Sequence, residues 1–165
     1  MSVSRLTDSL RAKLRPIKAA LFDMEGVLVD SSTVSPAAGL NTKAVAPSDK
    51  EAIHNAIDAG LTVGIITSRE SSTVDELAEE LRITDVYQGY LNKSSAYEEF
   101  KFTYELEDDE IAYMGDDILD LAVIKMVGFS AAPFNAHSSV RIAAHFVCRA
   151  RGGNGAVSEM MALIS

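Results

Sequence analysis

Short apolar runs alternate with longer amphipathic segments along the whole chain. The runs IKAALF (Ile17–Phe22), TVGII (Thr62–Ile66), DVY (Asp85–Tyr87), IAYM (Ile111–Met114), FSAA (Phe129–Ala132) and HFVC (His145–Cys148) predict strands. Between them, residues 49–59, 74–81, 94–104, 118–127, 138–143 and 156–164 predict helices. In the second of these, Leu77, Ala78 and Leu81 share one face and acids occupy the other, the stripe of a helix packed on a sheet. Strand–helix alternation of this kind predicts an α/β fold of three layers, a doubly wound, mostly parallel sheet covered on both sides. Leu6, Leu10 and Leu14 recur every fourth residue, which predicts a leader helix within residues 1–15. One segment breaks the rhythm: SSTVSPAAGLNTKAVAPS (residues 31–48) is small and polar, with Pro36 and Gly39 near its middle, and predicts a hairpin or a plain loop.

The 165 residues fit a single domain with one core, and no repeat or linker divides them. A net charge of −9 argues against nucleic acid or an anionic membrane surface as partner, since both would be repelled. It leaves room for a small anion whose charge a metal neutralises. The one cysteine, Cys148, rules out an internal disulfide and fits a reducing compartment, so the expected location is cytoplasmic.

In open α/β sheets ligands gather beyond the carboxyl ends of the strands. The residues following each apolar run are therefore the ones to inspect. The first run delivers Asp23 and Glu25, with Gly26 behind them; the second delivers Thr67, Ser68 and Arg69. The third is followed by Gln88-Gly89 and Asn92-Lys93, the fourth by Gly115-Asp116-Asp117 with Asp120 one turn on, and the sixth by RARGGNGA. Singly, most have an ordinary explanation: a helix cap, a solvated lysine, a flexible glycine turn. Asp23 does not, because a carboxylate closing a buried strand must be paired or bind a cation. Together they are acids from two strands, a hydroxyl from a third and a lysine between. Oxygen ligands of this type suit Mg²⁺, and hydroxyl, lysine and helix-start N–H groups bind phosphate. That is equipment for phosphoryl transfer through a carboxylate nucleophile.

The order Asp23-Met-Glu25-Gly26-Val27-Leu28, Ile66-Thr67-Ser68-Arg69, Lys93, Gly115-Asp116-Asp117-Ile118-Leu119-Asp120 resembles the four motifs of the haloacid dehalogenase superfamily. Tyr87-Gln88-Gly89, Asn92-Lys93, Ala112-Tyr113-Met114-Gly115-Asp116-Asp117 and Arg151-Gly152-Gly153-Asn154-Gly155-Ala156-Val157 are similar to its capless phosphatases of 3-deoxy-D-manno-octulosonate 8-phosphate and related nonulosonate 9-phosphates. The resemblance implies that Asp23 is the nucleophile and that Glu25 is the acid/base. It implies Mg²⁺ held by Asp23, Asp116 and the main-chain carbonyl of Glu25. Thr67 and Ser68 would contact the phosphoryl group, Lys93 would neutralise charge, and Asp117 and Asp120 would support the metal side. Asp49 and Arg151 would meet the sugar acid. It also implies a homotetramer, with residues 31–48 at the subunit interface.

Two departures keep alternatives open. The acid/base position normally carries Asp, and the extra methylene of Glu25 moves the carboxyl by about an ångström, a displacement that can cost about a hundredfold in rate. At Ala46-Pro47-Ser48-Asp49-Lys50, Ala46 replaces a polar residue and Lys50 a glycine. A phosphatase of another small phosphorylated metabolite, or a weakened relative kept for binding or assembly, therefore stands beside the sugar-acid phosphatase.

Overall fold

The computed structural model describes residues 6–30 and 45–164. The interior of the proposed hairpin, residues 31–44, and residues 1–5 of the leader lie outside them. The described chain runs α1 (Asp8–Leu14), β1 (Ala19–Phe22), α2 (Pro47–Asp58), β2 (Thr62–Ile66), α3 (Ser72–Glu80), β3 (Asp85–Tyr87), α4 (Lys93–Thr103), β4 (Ile111–Met114), α5 (Leu121–Met126), β5 (Phe129–Ala132), α6 (Ser138–Ala143), β6 (Phe146–Val147) and α7 (Ala156–Ile164). The six strands form one parallel sheet in the order β3-β2-β1-β4-β5-β6.

Alternate residues of each strand face opposite layers. From β1, Ala20 and Phe22 pack with Ile53 of α2, Leu77 of α3 and Met160 of α7. Ala19 and Leu21 pack on the other side with Phe100 of α4, Val123 of α5 and Val140 of α6. Both faces of the sheet are covered, which is why the strands read as unbroken apolar runs.

Element ends depart from the sequence reading in physically simple ways. Pro47 opens α2 from the first helical position, so residues 47–48 belong to a helix rather than to the expected 31–48 excursion. The predicted helix 118–127 divides into a 3₁₀ turn, Ile118–Asp120, and α5, because the carboxylates of Asp117 and Asp120 satisfy the local N–H groups in a reciprocal cap. The acidic stretch 105–110, whose composition predicts a solvated loop, keeps Glu105, Glu107 and Asp109 exposed and is pinned at two points. Asp108 accepts from Tyr97 Oη at 2.5 Å and pairs with Lys101 at 3.0 Å, and Glu110 pairs with Lys18 at 2.5 Å.

Candidate active site

The strand order reverses direction between β1 and β4, and the crevice at that switch is where such sheets bind ligands. Asp23 N donates to Met114 O at 3.0 Å, prolonging the β1–β4 pairing and setting Asp23 beside the turn that carries Asp116. Asp23 is only 6% exposed. Its Oδ1 accepts from Met24 N and from Lys93 Nζ, both at 2.8 Å. Lys93, the first residue of α4, also donates to Asp120 Oδ1 at 2.8 Å. Asp120 is fully buried and takes three further donors: Tyr113 Oη at 2.5 Å, Asp116 N at 3.0 Å and Asp117 N at 3.1 Å. Carboxylate oxygens of Asp23, Asp116 and Asp120 lie within 4.8 Å of one another.

Charge is badly balanced here. Burial pushes the Asp23 carboxyl well above the usual range, the Asp120 carboxylate adds to the push, and Lys93 opposes it. Burial likewise raises Asp116, with the neighbouring acids Asp120 and Asp117 adding to it. Burial works to lower Lys93, yet the carboxylates of Asp23 and Asp120 prevail and hold it above its ordinary value. Among the described residues, the carboxylates of Asp23, Asp116 and Asp120 crowd around the Lys93 ammonium, an excess of negative charge that a divalent cation would offset. The set therefore fits Mg²⁺. Asp120 is the poorer ligand, since both its oxygens are taken by donors; Asp23 and Asp116 are the better ones.

Thr67 completes the opposite wall. Its N donates to Tyr87 O at 2.9 Å, carrying β2 one residue further, and its Oγ1 accepts from Arg69 N at 3.1 Å. The cleft is small, about 160 Å³, and is lined by Asp23, Asp116, Thr67, Ser68, Lys93, Glu25, Asp117 and Leu119. The Glu25 carboxylate lies to one side, ion-paired with Arg69 Nε.

Two glycines hold the loop carrying these acids. Gly26 has φ +81°, and a Cβ there would sit 1.8 Å from Asp116 Oδ2. A Cβ on Gly152 would sit 1.7 Å from Gly26 O. Gly153 N donates to Val27 O at 2.9 Å and Gly152 N to Asn135 Oδ1 at 3.0 Å. The Arg-Gly-Gly stretch is thus a packed buttress under the nucleophile loop, not a flexible turn.

A model of the haloacid dehalogenase-like hydrolases matches residues 82–161. The 3-deoxy-D-manno-octulosonate 8-phosphate phosphatase KdsC of Yersinia pestis is 34% identical over 159 residues, covering 96% of this chain and 85% of the relative. Its crystal structure superposes with a TM-score of 0.90, over 96% of this chain and 86% of that one. The Moraxella catarrhalis enzyme of that name, solved with magnesium, phosphate and KDO, is 31% identical with a TM-score of 0.89, covering 96% and 91%. A Legionella pneumophila structure described as a putative subfamily III A hydrolase of the superfamily is 37% identical with a TM-score of 0.89, covering 95% and 86%.

The chain belongs to the haloacid dehalogenase superfamily, in its 3-deoxy-D-manno-octulosonate 8-phosphate phosphatase branch.

In this superfamily member the sequence-predicted Asp23, Glu25, Thr67, Ser68, Lys93, Asp116 and Asp117 do line one cleft, with Asp120 directly beneath. Asp117 is exposed and caps the following turn, accepting from Ile118 N at 2.7 Å. Asp49 lies elsewhere. It is fully buried under α7, where its carboxylate accepts from Gly155 N at 3.2 Å and Ser158 N at 2.9 Å, and it contributes nothing to the lining of the cleft. Its carboxylate complements the start of a helix rather than a sugar. Asp49→Ala is therefore expected to cost about 1–3 kcal/mol of unfolding free energy while leaving KM within about twofold, read by urea titration and steady-state kinetics. Arg151 is exposed and also stands outside the lining, although its neighbour Gly152 abuts Gly26. Lys50 pairs with Glu80 of α3 at 2.8 Å on the surface.

Cys148 is 1% exposed and its thiol is pushed up by burial, so it packs as a small apolar side chain. Two residues named in the motifs carry contacts that the sequence does not assign them. Tyr113 was indistinguishable from other apolar strand positions, since nothing in IAYM marks a hydroxyl that donates to a buried acid. Arg69 follows a hydroxyl pair that reads as an ordinary helix start; only the fold brings it to Glu25, 44 residues away.

Proposed function

We propose that this protein is a Mg²⁺-dependent phosphatase that hydrolyses a sugar-acid phosphate, 3-deoxy-D-manno-octulosonate 8-phosphate or a related nonulosonate 9-phosphate, through a phosphoaspartate on Asp23. The observation that carries the reading is the buried Lys93 bridging Asp23 and Asp120 at 2.8 Å, with Asp116 alongside. Asp23, Asp116 and the Glu25 main-chain carbonyl would hold Mg²⁺, which when bound supplies charge neutralisation at the phosphoryl oxygens.

The chain's own groups account for the rest. Asp23 forms the new O–P bond as the bond to the leaving oxygen breaks, and that oxygen takes a proton from Glu25. In the second half, Glu25 takes a proton from water as the water oxygen bonds to phosphorus and the Asp23 O–P bond breaks, releasing phosphate. Lys93 compensates charge on Asp23 throughout, and the Thr67 hydroxyl, whose oxygen already accepts from Arg69 N, has its proton free to donate to a phosphoryl oxygen. The same reading places the enzyme in the cytoplasm as a homotetramer. The buried, unpaired thiol of Cys148 supports a reducing compartment, and the branch resemblance supports the assembly.

Phosphate release from a panel of sugar-acid and other metabolite phosphates tests this directly. Turnover should favour the eight- or nine-carbon acid sugars and fall to background with EDTA, returning with Mg²⁺. One observation favours a second reading, a weakened relative kept for binding: the Glu25 carboxylate is engaged by Arg69 rather than standing free. No phosphate release from any substrate would select it.

A further inference from the structure

Glu25 carries one more torsion than the aspartate usual in this branch, and a longer side chain over a small cleft needs something to fix it. Arg69 is built to do so. Its main chain is pinned on both sides, N donating to Thr67 Oγ1 at 3.1 Å and O accepting from Gly89 N at 3.2 Å. Its Nε donates to Glu25 Oε1. The two side chains are 25% and 37% exposed, so the pair is partly shielded from water, with Glu25 lining the cleft and Arg69 backing it from outside the lining. Engagement by Nε occupies one carboxyl oxygen and leaves Oε2 for a leaving group or a water. A guanidinium presents its N–H groups in a rigid plane and so sets direction as well as charge.

We propose that Arg69 is a positioning residue that holds the longer Glu25 at the reacting oxygen, so that the two side chains work as one unit. The inference rests on the phosphatase reading above and deepens it. It makes Arg69 act on the proton delivered by Glu25 and not on the substrate's own carboxylate.

The two roles separate by choice of substrate. In the step that sets kcat/KM, the leaving oxygen takes the Glu25 proton as the Asp23 O–P bond forms. An alkoxide needs that proton, whereas p-nitrophenolate departs without it. Arg69→Ala is expected to lower kcat/KM for glycerol 2-phosphate, which has no carboxylate, by about tenfold to a hundredfold, and for p-nitrophenyl phosphate by less than about threefold. In a Glu25→Asp background, where the shorter carboxyl no longer reaches Nε, the same change should cost less than about threefold with either substrate. Arg69→Lys, which keeps charge but not the Nε geometry, should repeat the selective loss and serves if the alanine variant unfolds.

Equal losses on both substrates in both backgrounds would mark Arg69 as merely structural and overturn the proposal. So would a loss confined to KM for sugar-acid phosphates, which would make Arg69 a substrate contact. If wild type hydrolyses nothing, the phosphatase reading itself fails. The pair is then read from crystal structures of wild type and Arg69→Ala: a Glu25 carboxylate that stays in place without Arg69 overturns the positioning role.

Discussion

Asp23→Asn is expected to fold, to bind its phosphorylated substrate, and to release phosphate on the order of 10⁴-fold or more slowly than wild type. The amide has nearly the shape of the carboxylate and its Oδ1 still accepts from Met24 N, but it is no nucleophile. The effect on stability runs the other way. Burial and the Asp120 carboxylate make the ionised Asp23 costly, so removing its charge should leave the metal-free melting temperature unchanged or higher. Added Mg²⁺ should then raise the melting temperature of wild type more than that of the variant, because one ligand is gone. Phosphate release and thermal melts with and without Mg²⁺ check both halves.

Lys93→Met carries the second large effect and differs from the first by harming fold and chemistry together. The ammonium is 4% exposed and bonded to two carboxylates at 2.8 Å. Methionine fills the volume without the charge, leaving Asp23, Asp116 and Asp120 uncompensated among themselves. Breaking a buried ion pair by removing one partner costs about 3–5 kcal/mol. Mg²⁺ should recover part of that loss. Turnover should not recover, and is expected to stay lower by about 10²–10³-fold, since a fixed charge beside the developing phosphoryl charge is missing. Urea unfolding at several Mg²⁺ concentrations, set beside steady-state rates, separates the two. Equal recovery of stability and turnover would mean that Lys93 only balances charge.

Much of this was legible from the chain because a parallel sheet buries both faces of its strands. Runs such as TVGII and IAYM stand out as unbroken apolar stretches, and the residues just after them must lie at one end of the sheet. Asp23, Thr67, Lys93 and Asp116 were found by that rule and by resemblance together. Asp49 stands apart from the cleft for a reason the sequence cannot display. Its partners, Gly155 and Ser158, are more than a hundred residues away, and only the packing of α2 on α7 shows that its charge caps a helix. Asp120 is a supporting acid by resemblance, and the spacing of its motif does not display its burial. With Lys93, Tyr113 and two main-chain N–H groups all donating to it, it is the fixed post on which the lysine is hung. The glycines of the Arg-Gly-Gly stretch look like a flexible turn in sequence, and only the 1.7 Å approach of a Cβ to Gly26 O shows that Gly152 is a contact point.

The most direct test is covalent. Wild type and Glu25→Gln are mixed with Mg²⁺ and p-nitrophenyl phosphate, whose leaving group needs no proton so that only the second half stalls in the variant, then quenched in acid within a turnover, digested and weighed. The account predicts one added phosphoryl group on the peptide containing Asp23, more of it in Glu25→Gln, and none in Asp23→Asn. Phosphate release without any such adduct, or an adduct on another residue, would contradict it.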